Sequence, residues 1–433
     1  MHTLIFFQPG HFHAALTLRI PNPRVSEEVH LYATASEERD AFVALVDAFN
    51  SRAQNPTRWH IVEHRGEDER TLLAQLIAER RGDAVVLAGR NDHKLAVIAA
   101  VHRAGLHVLA DKPWAINALA TDDLAQATQN GALAMDIMTS RFDVIAQLRR
   151  KIARDATVFG GFRNSADPAI DIGSVHHLVK VVNGQTLRRP TWYFDVGAQG
   201  DGLVDIQSHM THQAQWLLET DAAYQYGADV SSLRAVRWPT PVSVELFQRS
   251  TGASEFPAAL QGNVNDGELA LFCNGQIDYE LRGVTVRQRA KWRPIEPEGG
   301  GDLHDAVIRG ENADIIVEQG PATGYQPVLS VLPRAAHVPS TLANALGHWQ
   351  RDFPGVSVDK KGDRLELNIP STLRTGHEAH FAMVLESFLD YLDAGEWPSS
   401  LRAEINMRYT LLGRAHADRE DLLDEADLGD AQR

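Results

Sequence analysis

The sequence predicts an α/β domain on an open parallel sheet, followed by an α+β domain with a large, mostly antiparallel open sheet. Three observations predict it. Over the first 140 or so residues, short apolar runs alternate with helix-like stretches, the pattern of parallel strands covered on both faces. From about residue 150 the alternation yields to one helix and then a series of strand-like segments. At 433 residues the chain also exceeds what one hydrophobic core usually organises.

In the first part, strands are expected at residues 3–7, 29–33, 59–62, 84–88, 106–109 and 133–138. Helices are expected from His13, and at 41–50, 71–79, 94–104 and 117–129. The order is that of a Rossmann domain, whose ligand sits beyond the carboxyl ends of the strands. In the second part, a helix containing residues 209–218 precedes strands at 241–247, 268–273, 276–281, 285–288 and 315–317. Residues 321–375 read as an inserted α+β segment, and 377–392 and 403–415 as closing helices. The expected limits are therefore 1–140 for the Rossmann domain, 141–415 for the α+β domain and 416–433 for an acidic, frayed or solvated tail.

Composition narrows the function. A formal net charge of -15 repels phosphate backbones, which argues against a nucleic-acid partner. The single cysteine, Cys273, rules out an intrachain disulfide and a cysteine-rich metal site. The N-terminal MHTLIFFQPG lacks a basic leader region and reads as a first strand. No stretch approaches the roughly 18 apolar residues of a membrane span. The expectation is a cytoplasmic enzyme with no membrane partner.

The segment DAVVLAGRNDHKLAVIAAVHRAGLHVLADKPW reads as strand, polar turn, helix, strand and Asp111-Lys112-Pro113. A lysine at the carboxyl end of a buried parallel strand can stabilise a developing alkoxide. It can equally be a surface lysine before a proline, and spacing leaves both open. In GDGLVDIQSHMTHQAQWLL, helical spacing puts Asp205 and His209 one turn apart, with His212 nearby. A carboxylate beside an imidazole raises its basicity, as a general base requires; a buried structural helix reads the same way. Asp302 and His304 share a face if extended. Ser174-Val175-His176-His177 is either a pocket wall or a helix start capped by Ser174. In His377-Glu378-Ala379-His380 two residues separate the histidines, so this is not the zinc-protease H-E-x-x-H.

These residues resemble the Gfo/Idh/MocA superfamily, the relatives of glucose–fructose oxidoreductase and inositol dehydrogenase. The resemblance lies in Asn91 and His93, the strand Gly105-Leu106-His107-Val108-Leu109, Asp111-Lys112-Pro113, and the glycine loop leading to Asp205 and His209. PGHFHAAL, DIMTSRF, SVHH, GGGDLH and GHEAHF are similar to a branch described only as oxidoreductases. The resemblance implies an NAD or NADP cofactor, catalysis by Lys112, Asp205 and His209, and a cis peptide before Pro113. It implies cofactor contacts at Gly10, His11, Phe12, His13, Ala88, Asn91, His93, Asp111 and Lys112. His177, His212, Asp302 and His304 are the expected substrate contacts. A sugar, polyol or glycoside is the expected small-molecule partner, with homo-oligomerisation through the C-terminal sheet and no metal.

This chain departs from the pattern in places. Of the dinucleotide fingerprint G-x-G-x-x-G, Gln8-Pro9-Gly10-His11-Phe12-His13 keeps only the central glycine. After the second strand, Ala33-Thr34-Ala35-Ser36 carries no acidic residue, and Glu37 is the nearest carboxylate. His212 stands where the superfamily has Asp. The leading expectation is hydride transfer at a sugar or polyol hydroxyl. The alternative is redox-neutral glycoside cleavage by transient oxidation and elimination, suited by extra histidines at 176, 177, 212, 304, 377 and 380. A metal-dependent hydrolase using His209, His212, Asp302 and His304, or a non-catalytic dinucleotide-binding regulator, ranks lower.

Overall fold

The computed structural model describes residues 1–117, 124–125, 127, 131–182 and 185–428. The helix expected at 117–129 lies mostly outside these. The first sheet has the order β3-β2-β1-β4-β5-β6, all parallel. Its strands are β1 (Leu4–Phe7), β2 (Glu28–Ala33), β3 (His60–Arg65), β4 (Ala84–Leu87), β5 (His107–Asp111) and β6 (Ala134–Ile137). β1 and β4 are buried at every position, as strands covered on both faces must be. The order reverses between β1 and β4, which opens a crevice at their carboxyl ends.

The connecting helices are α1 (His13–Leu16), α2 (Glu37–Ser51), α3 (Glu69–Glu79) and α4 (Lys94–Arg103). The side chains of Ser36 and Asp68 accept from the Arg39 and Thr71 amides and start α2 and α3. α1 is a single turn, far shorter than the usual first Rossmann helix. The space it leaves is filled from the far end of the chain.

After α5 (Val144–Ala153), the second sheet begins with β7 (Ile170–Val179). α6 (Gln207–Leu217) follows, then β8 (Val230–Ser243), α7 (Val244–Thr251), β9 (Glu268–Leu281), β10 (Val284–Ile295), β11 (Leu303–Arg309) and β12 (Ala313–Gln319). β13 (Val328–Pro333), α8 (Val338–His348), β14 (Ser357–Lys361) and β15 (Arg364–Asn368) come from residues 321–375. α9 (His377–Ala394), α10 (Ser399–Ala417) and β16 (Glu420–Asp421) complete the described chain. The main path is β14-β15-β13-β12-β11-β7-β10-β9-β8-β16. It is antiparallel except at β7–β10 and β8–β16.

Four local expectations need correction. Residues 241–247 divide at Ser243, whose hydroxyl accepts from the Leu246 amide and starts α7. Residues 268–273 and 276–281 are one strand: its pairing with β8 slips between Leu271 and Asn274, a bulge rather than a hairpin, and Gly275 pairs with Arg237 and Ala290. The Asn274 side chain occupies the bulge, accepting from the Trp292 amide at 2.7 Å and donating to the Trp238 carbonyl at 3.1 Å. Residues 174–177 lie inside β7, so Ser174 caps no helix. The tail does not fray at Asp418: Arg237 holds Asp421 at 2.7 and 3.0 Å, and Leu422 is buried.

α9 supplies the missing cover for α1. Phe381, Val384, Leu385, Phe388 and Leu389 enter the cluster formed by Ala14, Ala15, Leu16, Leu18 and Phe42. α10 lies between the sheets, and its buried Arg408 meets Asp136 of β6. Trp114 stacks on Tyr409 with ring centroids 5.8 Å apart. α10 therefore joins the Rossmann sheet to the larger one, while α9 covers the Rossmann side, with His377 at its crevice end.

Candidate active site

Lys112 follows β5 at its carboxyl edge, and the Lys112–Pro113 peptide is cis. Opposite it, residues 200–205 are pinned onto the larger sheet. Gly200 has φ +99°, and a Cβ on Gly202 would stand 2.2 Å from the Asn274 carbonyl carbon. The Gly202 amide donates to the Phe272 carbonyl at 3.0 Å. Asp201 is clamped by Arg237 at 2.7 Å and His416 at 2.9 Å. So held, the loop delivers Asp205 to Lys112, whose Nζ donates to Oδ1 at 2.6 Å and to the Asp205 carbonyl at 3.3 Å. The Tyr193 hydroxyl stands 3.5 Å from Oδ2. Burial alone would raise the Asp205 carboxyl; the Lys112 ammonium overrides it and keeps the group below its ordinary range.

The expected Asp205–His209 pair is not formed. α6 begins at Gln207, so Asp205 precedes the helix and helical spacing does not apply. Among the described residues Asp205 spends its charge on Lys112. His209 sits among Lys112, His377, Asp111 and His13, and burial, reinforced by the cations, pushes its imidazole well below the ordinary value. Among the described residues no carboxylate is hydrogen-bonded to it, and Asp111 is the nearby carboxylate that opposes the shift.

The expected cofactor residues divide. His11, His13 and Asp111 converge: His13 Nδ1 lies 2.8 Å, and His11 Nδ1 3.9 Å, from Asp111 Oδ2. Phe12 is 42% exposed and packs its ring on His11 and His13, with centroids 4.5 and 4.6 Å away. Asn91 is not free for a ligand. It is buried, accepts from Lys94 Nζ and donates to the Gln199 carbonyl at 2.6 Å, tying the two domains together. Ala88 is also buried, and its carbonyl takes the Gly10 and His11 amides at 3.0 and 2.9 Å. Those two amides are thus spent within the turn. Lys94 Nζ also donates to the Asp111 carbonyl at 2.9 Å, and burial pushes its ammonium down to about 8.

A cleft of about 370 Å³ opens beside β1 and β4, lined by Gly10, Thr34, Ser36, Glu38, Gly89, Arg90, His93 and Trp192 among others. Its floor is bare backbone. A Cβ on Gly89 would lie 2.4 Å from the Gln8 carbonyl oxygen, and one on Gly10 3.3 Å from Trp192. Glu38, in the first turn of α2, accepts from Trp192 Nε1 at 3.1 Å. Glu38, not Glu37, is therefore the carboxylate in reach of a ribose. Bare glycine floor, polar groups after β2 and an indole roof fit a dinucleotide.

A wall runs from the Lys112–Asp205 pair across the larger sheet. Tyr193 and Trp292 are 6.0 Å apart, His176 and Trp292 5.1 Å, and the Arg189 guanidinium lies over both Tyr193 and Trp292. At its end Asp302 receives Lys180 at 2.7 Å and His176 at 3.3 Å. Burial would raise Asp302, but His176 and Lys180 hold it low, while burial pushes His304 beside it down to about 4. His177 is fully buried behind this wall, and His212 lies on the other side of α6, bonded to Ser140 and Arg141 at 3.3 and 2.6 Å. His177 Nδ1 stands 3.8 Å from Asp302 Oδ1, so of the two only His177 adjoins the wall. Tyr193, Arg189, Trp192 and Lys94 carry no motif that points to this site. His377 does stand out in the sequence, but only as a false zinc motif.

Comparisons with known proteins agree with this architecture. Residues 148–418 match the family described as "Putative oxidoreductase C terminal domain". The crystal structure of a "putative oxidoreductase" from Parabacteroides merdae is 36% identical with a TM-score of 0.92, over 96% of this chain and 97% of that one. KijD10, a 3-ketoreductase from Actinomadura kijaniata in complex with NADP and TDP-benzene, is 15% identical with a TM-score of 0.59, over 98% and 99%. A "putative oxidoreductase" from Erwinia carotovora atroseptica is 14% identical with a TM-score of 0.60, over 98% and 100%. No curated protein matches the chain.

Proposed function

The chain belongs to the family described as "Putative oxidoreductase C terminal domain", within the Gfo/Idh/MocA superfamily, and on that premise we propose that it oxidises or reduces a sugar or polyol carbon with NAD or NADP. The observation that carries the reading is the 2.6 Å contact between Lys112, at the carboxyl end of β5, and Asp205. KijD10, of the same fold, is a ketoreductase described with NADP, which supports a dinucleotide in the crevice.

Gly10, Gly89, Thr34, Ser36, Glu38 and Trp192 would hold the dinucleotide. When bound, a nicotinamide accepts or returns a hydride. The remaining work falls to side chains. Lys112 donates to the substrate oxygen and favours its alkoxide form. Asp205 aims that lysine by accepting from its Nζ at 2.6 Å. His209, neutral because it is buried, takes the hydroxyl proton on oxidation and returns it on reduction. The aromatic wall of Tyr193 and Trp292, ending in Asp302 and His304, is suited to the apolar face and hydroxyls of a sugar ring.

Glycoside cleavage by transient oxidation is the second reading. The observation in its favour is the crowding of His11, His13, His209 and His377 around one carboxylate, which offers more proton carriers than hydride transfer needs. Calorimetry with both dinucleotides, oxidised and reduced, followed by a panel of sugars, polyols and glycosides, tests both readings. Failure of all four cofactor forms to bind at millimolar concentration would sink them together. Glycoside release without net cofactor turnover would select the second.

A further inference from the structure

The turn after β1 keeps one fingerprint glycine, places the imidazole of His13 where the last glycine normally stands, and carries a second imidazole, His11, at a variable position. Both look onto Asp111 at the end of β5. His13 Nδ1 is 2.8 Å from Asp111 Oδ2, His11 Nδ1 is 3.9 Å from it, and candidate ligand atoms of the three residues all lie within 4.8 Å of one another. Ligands around an ion at ~2.1 Å stand roughly 3–3.5 Å apart, so small rotations of these rings enclose one. The two rings meet edge to face, with centroids 4.0 Å apart at 83°. Phe381 braces His13 at 4.5 Å.

The charge balance favours a cation. Two carboxylates, Asp111 and Asp205, face the crevice, but Lys112 is committed to Asp205. Lys94 bonds the Asp111 carbonyl rather than its carboxylate. The Asp111 side chain is 8% exposed; its Oδ1 accepts from the Lys112 amide at 3.0 Å, and the side chains beside its Oδ2 are imidazoles. Two imidazoles and one carboxylate suit a first-row divalent metal, with coordination positions left open. The His377 ring stands 6.1 Å from His13, and His209 lies beyond it on the substrate side.

We propose that His11, His13 and Asp111 bind a first-row divalent metal ion at the edge of the catalytic crevice, open towards Lys112 and His209. Its use as a Lewis acid on the substrate oxygen rests on the oxidoreductase reading; the site itself does not. The ligands come from two segments far apart in the chain. That is why the absence of H-E-x-x-H and of clustered cysteines, which argued for a metal-free enzyme, does not bear on them.

Full-length protein stripped by chelation and titrated with Co²⁺ provides the test, read by visible absorption and elemental analysis, with NAD and NADP titrated in parallel. One saturable Co²⁺ per chain is expected, displaced by Zn²⁺. Binding should weaken about 100-fold in His11→Ala and His13→Ala and stay unchanged in His304→Asn. His13→Gln, checked by circular dichroism, covers the case in which His13→Ala does not fold. A wild-type protein with no saturable cobalt, or variants that bind as tightly as wild type, overturns the site. Metal binding without dinucleotide binding supports the site and removes the cofactor reading instead; dinucleotide binding without metal removes only the site.

Discussion

Lys112 and Asp205, 93 residues apart in sequence, meet at 2.6 Å where the two sheets face each other. The pair is nearly closed to solvent, at 9% and 8% side-chain exposure, so losing one partner leaves the other charge buried and unanswered. Lys112→Ala and Asp205→Asn should each lower kcat by roughly 10²-fold, with dinucleotide affinity little changed in the Asp205 variant. Steady-state kinetics beside cofactor titration is the check. Equal loss of affinity and turnover in Asp205→Asn would mean that the pair builds the cofactor site rather than the reacting one.

His209 and His212 should separate cleanly. His209→Ala removes the proton acceptor and should cost about 10²-fold in kcat without unfolding the protein. His212→Ala strips buried partners from Ser140 and Arg141; it should cost about 1–3 kcal/mol of stability, with turnover near normal. Urea unfolding and kcat on both variants decide. The reverse pattern would move the base to His212.

Glu38 sets the expected cofactor preference. A carboxylate in the cleft after β2 accepts hydrogen bonds from ribose hydroxyls and repels a 2′-phosphate, while Arg39 is tied to Glu63 and Asp40. NAD should bind more tightly than NADP, and Glu38→Gln should narrow the gap by about tenfold, or ~1.4 kcal/mol. Calorimetric constants for both cofactors test this, and an NADP preference in wild type would refute it.

His304 predicts a pH effect on stability. Burial, reinforced by His176 and Lys180 and opposed by Asp302, pushes its imidazole down to about 4, against ~6.5 in an unfolded chain. Between those values the unfolded state binds the proton and the native state does not. Stability is therefore complete above the unfolded value and drains away as pH falls from ~6.5 towards 4. His304→Asn should lessen the loss between pH 7 and pH 4.5 by about 2 kcal/mol. Denaturant midpoints across that range are the measurement, and parallel curves for the two proteins would count against it.

The fold was legible where one segment carries its own signal. The apolar runs of β1, β4 and β5, and Asp111-Lys112-Pro113 at the strand end, mark sheet and site together. Asp205 and Lys112 were both recognisable, but not as partners, because helical spacing assumed a helix that starts two residues later. Gly202 docking on the Asn274 irregularity aims Asp205 elsewhere, and no local pattern records such a contact. Asn274-Gly275 looks like a hairpin turn for the same reason. Tyr193, Arg189 and Lys94 become functional only through the packing of distant segments, as does the meeting of His11 and His13 with Asp111.

The one-turn α1 has a consequence for how the protein is made. Its hydrophobic cover is α9, which ends at Ala394, and Arg24 fastens the two regions through Glu386, Asp390 and Asp393. During synthesis the first sheet emerges before its cover, and one flank stays open until residues 377–394 have followed it from the ribosome. Folding from the N-terminus domain by domain, the usual route for long chains, is therefore interrupted here. The first domain waits for the last helices, and a nascent chain exposes Ala14, Leu16, Leu18 and Phe42 to chaperones throughout that interval.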